Sequence, residues 1–296
     1  MTLLVYGHKG WIGTQFIELL KNNNENYTLG QSRVDDTPNL LKELDKIKPT
    51  HVISFIGRTH GIIGNKEYKT IDYLEQSGKL VENIKDNLFS PISLAIACKE
   101  RKIHYTYLGT GCIFNYKDIN NITVEKGFTE NDIPNFFGSG YSIVKGFTDR
   151  IMHQFEDTVL NLRIRMPIIV EDCQRNFITK IINYKKICSI PNSMSVLPEL
   201  LPIALKMLKA NKVGTVNLTN PDVISHNEIL EMYKEYVDIN FTWENFNIEE
   251  QRQILACDRS NNFLDTTVLQ TFAPEVKPIK EAVRELLKTY KKCVRN

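Results

Sequence analysis

No stretch of the 296-residue chain approaches the run of about 18 apolar residues that a membrane helix needs. The N-terminal "MTLLVYGHKGW" is too short an apolar segment for a signal peptide. Metal-type cysteine spacing is missing as well. Cys98, Cys112, Cys173, Cys188, Cys257 and Cys293 are scattered, with no Cys-x-x-Cys and no Cys/His grouping suited to zinc. That scatter predicts a reduced, cytoplasmic chain whose cysteines mostly serve as small buried hydrophobes. Charge of one sign is also lacking. With 37 basic and 35 acidic side chains the formal net charge is +2, no basic cluster forms, and neither nucleic acid nor a membrane is implied as a partner. The densest charge, the C-terminal "KTYKKCVRN", reads as a solvated tail. Internal repeats and low-complexity linkers are absent.

What the chain does have is alternation. "TLLVY" (Thr2–Tyr6), "YTLG" and "HVISFIG" (His51–Gly57) read as buried strands, as do "IHYTYLG" and "VLNLRI". Helical spacing runs from Trp11 to Leu20, through "NLLKELDKIKP" up to Pro49, and through "YSIVKGFTDRIMHQF". The segment Thr70–Arg101 reads as helical in two parts, the second opened by Ser90 as N-cap with Pro91 at the first helical position. This rhythm predicts an α/β fold, a Rossmann-like doubly wound parallel sheet, over residues 1–168. After Pro167 the rhythm loosens into three helices, "RNFITKIINYKKI", "ELLPIALKMLKAN" and "SHNEILEMYKEY", with the strand "GTVNLT" between the last two. Residues 169–296 are expected to form a smaller C-terminal α/β lobe.

Between the first strand and the first helix lies Gly7-His-Lys-Gly10-Trp11-Ile12-Gly13. Glycines at this place allow a tight turn and a close approach of backbone to a pyrophosphate, which the helix N-terminus then attracts. The second strand ends in Gly30-Gln31-Ser32-Arg33, not in the acidic residue that would meet a ribose 2′-hydroxyl. Ser32 and Arg33 suit a 2′-phosphate, which favours NADPH and leaves NADH open. Phe55, Gly57 and Arg58 at the end of the third strand are further cofactor-facing candidates.

In "GYSIVKG", Tyr141 and Lys145 are one helical turn apart and share a face. A ketone taking up hydride needs a proton donor at its oxygen, and a tyrosine beside a lysine can supply one. Together with the glycine loop, this pair resembles the extended short-chain dehydrogenase/reductase family over essentially the whole chain. The resemblance assigns Thr110, at the end of the strand before the Tyr141 helix, to the substrate oxygen.

The stretch "GTGCIF" is more specific. It is similar to the Ser-x-Cys segment of GDP-fucose synthase, and Gly111-Cys112 departs from the Asp-Tyr typical of dTDP-4-dehydrorhamnose reductases. The nearest likeness is the bifunctional 3,5-epimerase/4-reductase group of UDP-rhamnose synthesis, carried by "GTGCIF", "RNFITKI", "IPNSM", "ELLPI" and "RSNNFLD". That resemblance implies NADPH-dependent conversion of UDP-4-keto-6-deoxy-D-glucose to UDP-β-L-rhamnose. Cys112 and Lys180 would act as the epimerase acid/base pair, and Asn176 and Arg259 as further substrate contacts. It also implies a separate 4,6-dehydratase to supply the substrate, and a homodimer. Two alternatives stay open: a 4-reductase acting only on pre-epimerised dTDP- or UDP-4-keto-rhamnose, and a non-catalytic nucleotide-binding regulatory subunit. Trp243 and Phe246 are read as core packing, with stacking on a base as the alternative.

Overall fold

The computed structural model describes residues 1–118 and 126–290; Cys293 and most of the charged tail lie outside them. Six parallel strands form the central sheet: β1 (Leu3–Tyr6), β2 (Tyr27–Leu29), β3 (His51–Ser54), β4 (His104–Thr110), β5 (Val159–Ile164) and β6 (Gly214–Asn217). Their spatial order is β2-β1-β3-β4-β5-β6. The chain steps outward from β1 to β2 and then returns to the other side of β1. The crevice beyond β1 and β3 is therefore the topological switch point, where open α/β sheets take their ligands.

Side chains explain this layering. Every residue of β1, β3 and β5 is buried, as expected of strands covered on both faces. Leu4 and Tyr6 face a core with Leu40, Leu94 and Met152, from the helices Thr37–Ile47, Ser90–Glu100 and Gly140–Met152. Leu3 and Val5 face Phe16, Leu201 and Leu208, from the helices Trp11–Asn22 and Leu197–Lys209. A separate core, with Ile168, Ile178, Met194, Ile229 and Val283, underlies the C-terminal half.

Several elements differ from the sequence expectation. β6, the "GTVNLT" strand, is the sheet edge beside β5 and ties the C-terminal half to the N-terminal sheet. Ser90 is not an N-cap. The helices Leu80–Ile84 and Ser90–Glu100 run through a π-helical turn, Lys85–Phe89, and the Ser90 hydroxyl donates back to the Lys85 carbonyl. Pro91 has no N–H, and a widened turn just before it accommodates that loss without ending the helix. Of the first helical part, Ile71–Tyr73 is a single 3-10 turn, and helix resumes only at Leu80. The "RNFITKIINYKKI" helix is limited to Phe177–Ile182, opened by Asn176, whose side chain accepts from Ile178 N–H. An antiparallel hairpin, Gly61–Ile63 with Lys66–Tyr68, was not expected. Its signal was the Gly64-Asn65 dipeptide between two short runs.

Candidate active site

The N-terminal loop forms a cradle at the switch point. A Cβ on Gly13 would lie 2.2 Å from the Gly7 carbonyl oxygen, so only glycine lets the helix start this close to β1. Gly10 caps the Trp11–Asn22 helix with no side-chain bond, and no acidic residue occupies its first turn. No acidic side chain of the helix's own first turn competes for the amides around Trp11 and Ile12, which fits a pyrophosphate. Phe55 packs on Phe16 with ring centroids 5.0 Å apart. Asn87, on the π turn, accepts from Arg58 N–H and donates to the Arg58 carbonyl, fixing the loop after Gly57. The Arg58 side chain itself pairs with Asp86. Beyond β2, Glu43 accepts from the Gln31 and Ser32 amides, and Arg33, 70% exposed, pairs with Asp35 at 2.9 Å.

Thr110 is the last residue of β4 and is buried. Its hydroxyl accepts from Cys112 N–H at 3.1 Å and hydrogen-bonds the Tyr141 side chain. Burial, and then the neighbouring Cys112, push the Tyr141 phenol above its ordinary value, so it holds its proton at neutral pH. Tyr141 is placed by its helix, whose N-cap Ser139 accepts from Ser142 N–H. Lys145 is buried on the same helix, and its Nζ donates to the Tyr107 hydroxyl of β4; no hydrogen bond among the described residues joins it to Tyr141. Burial lowers the ammonium of Lys145 to about 8, against the pull of Asp149 and Cys112.

The turn after Thr110 is clamped from the far end of the chain. Asn262 donates to the carbonyls of Gly111 and Phe114 at 2.9 and 2.8 Å, and Ser260 Oγ donates to the latter at 2.6 Å. A Cβ on Gly111 would meet Leu264 at 2.5 Å, so the segment Ser260–Leu264 presses directly on the turn. Arg165, fully buried, donates to Asn192 and the Ser260 carbonyl. Arg163 is locked to Asp149 at 2.7 Å. Both arginines are internal braces. Trp243 donates to Asn227 and stacks on Phe241 within the C-terminal core.

Lys180 approaches this turn from the C-terminal half. Burial, then Arg175, lower its ammonium to about 8, and Arg259 and Cys112 are also within its electrostatic reach. Arg175 donates to His60 Nδ1, which places the proton of neutral His60 on Nε2. Arg259 forms an ion pair with Asp72 at 2.7 Å and bonds the Cys257 carbonyl and sulfur. Asn176 is fully buried, donating to the carbonyls of Ile169 and Glu171 while capping its helix. Its side chain therefore fixes the start of the helix that carries Lys180. The structure thus brings Thr110, Cys112 and Tyr141 together with Lys145 and Lys180 nearby, and leaves Arg33 on the surface. Tyr107, Asn87 and Asn262 were missed, because apolar strand patterning hides Tyr107 and the two asparagines act through long-range contacts.

A glycine cradle at a parallel-sheet switch point, serving a strand-end threonine and a tyrosine–lysine helix, defines a short-chain dehydrogenase/reductase of the Rossmann class. No family model matches the chain. It is 53% identical over 292 residues to protein L780 of Acanthamoeba polyphaga mimivirus, covering 98% of this chain and 99% of that one. The crystal structure described as the L780 UDP-rhamnose synthase superposes with a TM-score of 0.93. A bifunctional dTDP-4-dehydrorhamnose 3,5-epimerase/reductase of Arabidopsis thaliana is 42% identical, covering 95% of this chain and 90% of that one. The trifunctional Arabidopsis RHM1, which adds a UDP-glucose 4,6-dehydratase, is 40% identical, with this chain spanning 41% of its length. The chain belongs to the nucleotide-sugar 3,5-epimerase/4-reductase family of rhamnose synthesis.

Proposed function

We propose that this chain converts UDP-4-keto-6-deoxy-D-glucose to UDP-β-L-rhamnose, inverting C3 and C5 before reducing C4. The observation that supports this reading is the turn Thr110–Cys112, where the Cys112 N–H donates to the Thr110 hydroxyl and the Cys112 side chain packs against the cluster that contains Tyr141. NADPH, when bound, supplies the hydride. Gly7, Gly10, Trp11, Ile12 and Gly13 would hold its pyrophosphate, and Phe55, Gly57 and Arg58 would line the crevice. Arg33 and Ser32 would meet a 2′-phosphate once Arg33 exchanges Asp35 for it.

The 4-keto group acidifies the protons on C3 and C5. Cys112 and Lys180 would face opposite sides of the ring, one taking a proton to leave an enolate and the other returning one to the opposite face. Lowered to about 8, Lys180 has a substantial neutral fraction near pH 8 and can serve in either direction. In the reduction, Thr110 orients the C4 oxygen and Tyr141 gives it a proton, with Lys145 as the buried cation beside them. Asn176 and Arg259 complete the substrate side, Arg259 reaching the diphosphate from its Asp72 pair.

Residues 1–168 would hold the cofactor and 169–296 mainly the nucleotide sugar, in a cytoplasmic enzyme fed by a separate 4,6-dehydratase. Exposed Leu80, Val81, Ile84, Phe89 and Phe147, on the helices flanking one sheet face, support a homodimer. Incubation with UDP-4-keto-6-deoxy-glucose and NADPH tests the reading. UDP-β-L-rhamnose is the expected product, and consumption of only a pre-epimerised substrate would reduce the protein to a 4-reductase.

A further inference from the structure

Lys145 is the most deeply enclosed lysine of the site, at 4% exposure, and its surroundings name an unexpected partner. Its Nζ donates to the hydroxyl of Tyr107 and also stands 4.6 Å from the centre of the same ring. Tyr107 is itself 1% exposed and belongs to β4, three residues before Thr110. The carboxylate one turn along the helix, Asp149, is already committed to Arg163 at 2.7 Å and to Asn161 at 2.9 Å. A buried ammonium without a hydrogen-bond acceptor is costly, and the phenol oxygen is the acceptor present.

We infer that Tyr107 is a positioning residue for Lys145: its hydroxyl fixes the ammonium in the site and sustains its charge there. This rests on the reductase role proposed for the Tyr141/Lys145 pair. Burial drives the Tyr107 phenol well above its ordinary value, so it stays neutral and keeps a lone pair for the lysine across the working pH range. The groups that face Lys145 are therefore few. Tyr107 comes from β4 and Cys112 from the turn beyond it, while Asp149 and Tyr141 lie on its own helix. Of these, only Tyr107 gives it a hydrogen bond among the described residues.

The test is Tyr107→Phe, which keeps the ring and removes the oxygen. In cofactor-free protein labelled with 13C-lysine, the Lys145 side-chain resonance, assigned by its loss in Lys145→Met, should titrate near 8 in the parent chain. In Tyr107→Phe it should titrate lower by about one unit or more, since a hydrogen bond to a charged group is lost. The pH profile of NADPH-dependent reduction should move in the same direction, while solvent deuterium exchange at C3 and C5 stays at the parent rate. Because the resonance is read without substrate, its outcome is independent of which sugar the enzyme reduces. An unshifted Lys145 titration in a folded Tyr107→Phe protein overturns the inference, whatever the activity. If Tyr107→Phe does not fold, Tyr107→Leu, which likewise removes the acceptor, is read the same way: a titration below the parent value supports the role, and one at the parent value contradicts it.

Discussion

The two sides of the Thr110–Cys112 turn are built differently. On the sheet side, Thr110, Tyr141, Lys145 and Tyr107 are buried and joined by hydrogen bonds between one strand and one helix. On the side facing the C-terminal half, the Lys180 side chain has no hydrogen bond or ion pair among the described residues, and its neighbours Arg175 and Arg259 are cations. A hydride step needs fixed geometry between donor, ketone and proton source, so its residues are preorganised by the fold. Proton exchange at two ring carbons needs groups whose charge can change, and an amine crowded by cations meets that need. On the roles proposed above, one scaffold would separate a rigid reaction from a titrating one across three residues.

The largest effects should come from removing one side at a time. Tyr141→Phe should slow reduction about 10²–10⁴-fold, the usual weight of a general acid, while deuterium exchange at C3 and C5 persists. Lys180→Met should do the reverse on a substrate that still needs epimerisation, with reduction of pre-epimerised sugar retained. Steady-state NADPH oxidation and mass spectrometry of the sugar measure both, and equal loss of both reactions in either variant would erase the division.

Gly111→Ala tests the clamp that unites the two sides. The added methyl would lie 2.5 Å from Leu264, so the Ser260–Leu264 segment or the turn must shift. Overpacking of this kind costs about 1–3 kcal/mol, visible as a lowered unfolding midpoint together with loss of both reactions. A parent-like midpoint with full activity would mean the clamp is dispensable.

The smallest effect concerns acid stability. Burial first, then neighbouring cations, lower His60 to about 4; burial and Arg165 lower His226 to about 4. Both are neutral in the folded chain, while unfolded histidines take up protons below about 6.5. Unfolding then binds more protons, so stability is highest above about pH 6.5 and declines as pH falls toward 4. A thermal melting series should show that decline beginning near 6.5, and a flat melting temperature between pH 7 and 5 would contradict it.

Legibility in the sequence followed range of interaction. The glycine loop and the Tyr141/Lys145 spacing are local patterns, and the parallel sheet follows from the alternation of strand and helix along the chain. The π turn at Lys85–Phe89 escaped because Ser90-Pro91 matches a helix-start signal that the preceding residues, already helical, override. β6 was legible as a strand, but its pairing with β5 is a long-range fact with no local signature. The same holds for the Cys112 turn. Its residues were readable, whereas the contacts of Asn262 and Ser260 that hold it come from about 150 residues away in sequence.

The central claim is that Cys112 belongs to epimerisation and Thr110, two residues earlier, to reduction. The direct measurement is deuterium incorporation from D2O at C3 and C5 by Cys112→Ala, alongside its reduction of pre-epimerised 4-keto sugar. The account predicts that incorporation stops while reduction continues near the parent rate. Undiminished incorporation in Cys112→Ala would contradict it.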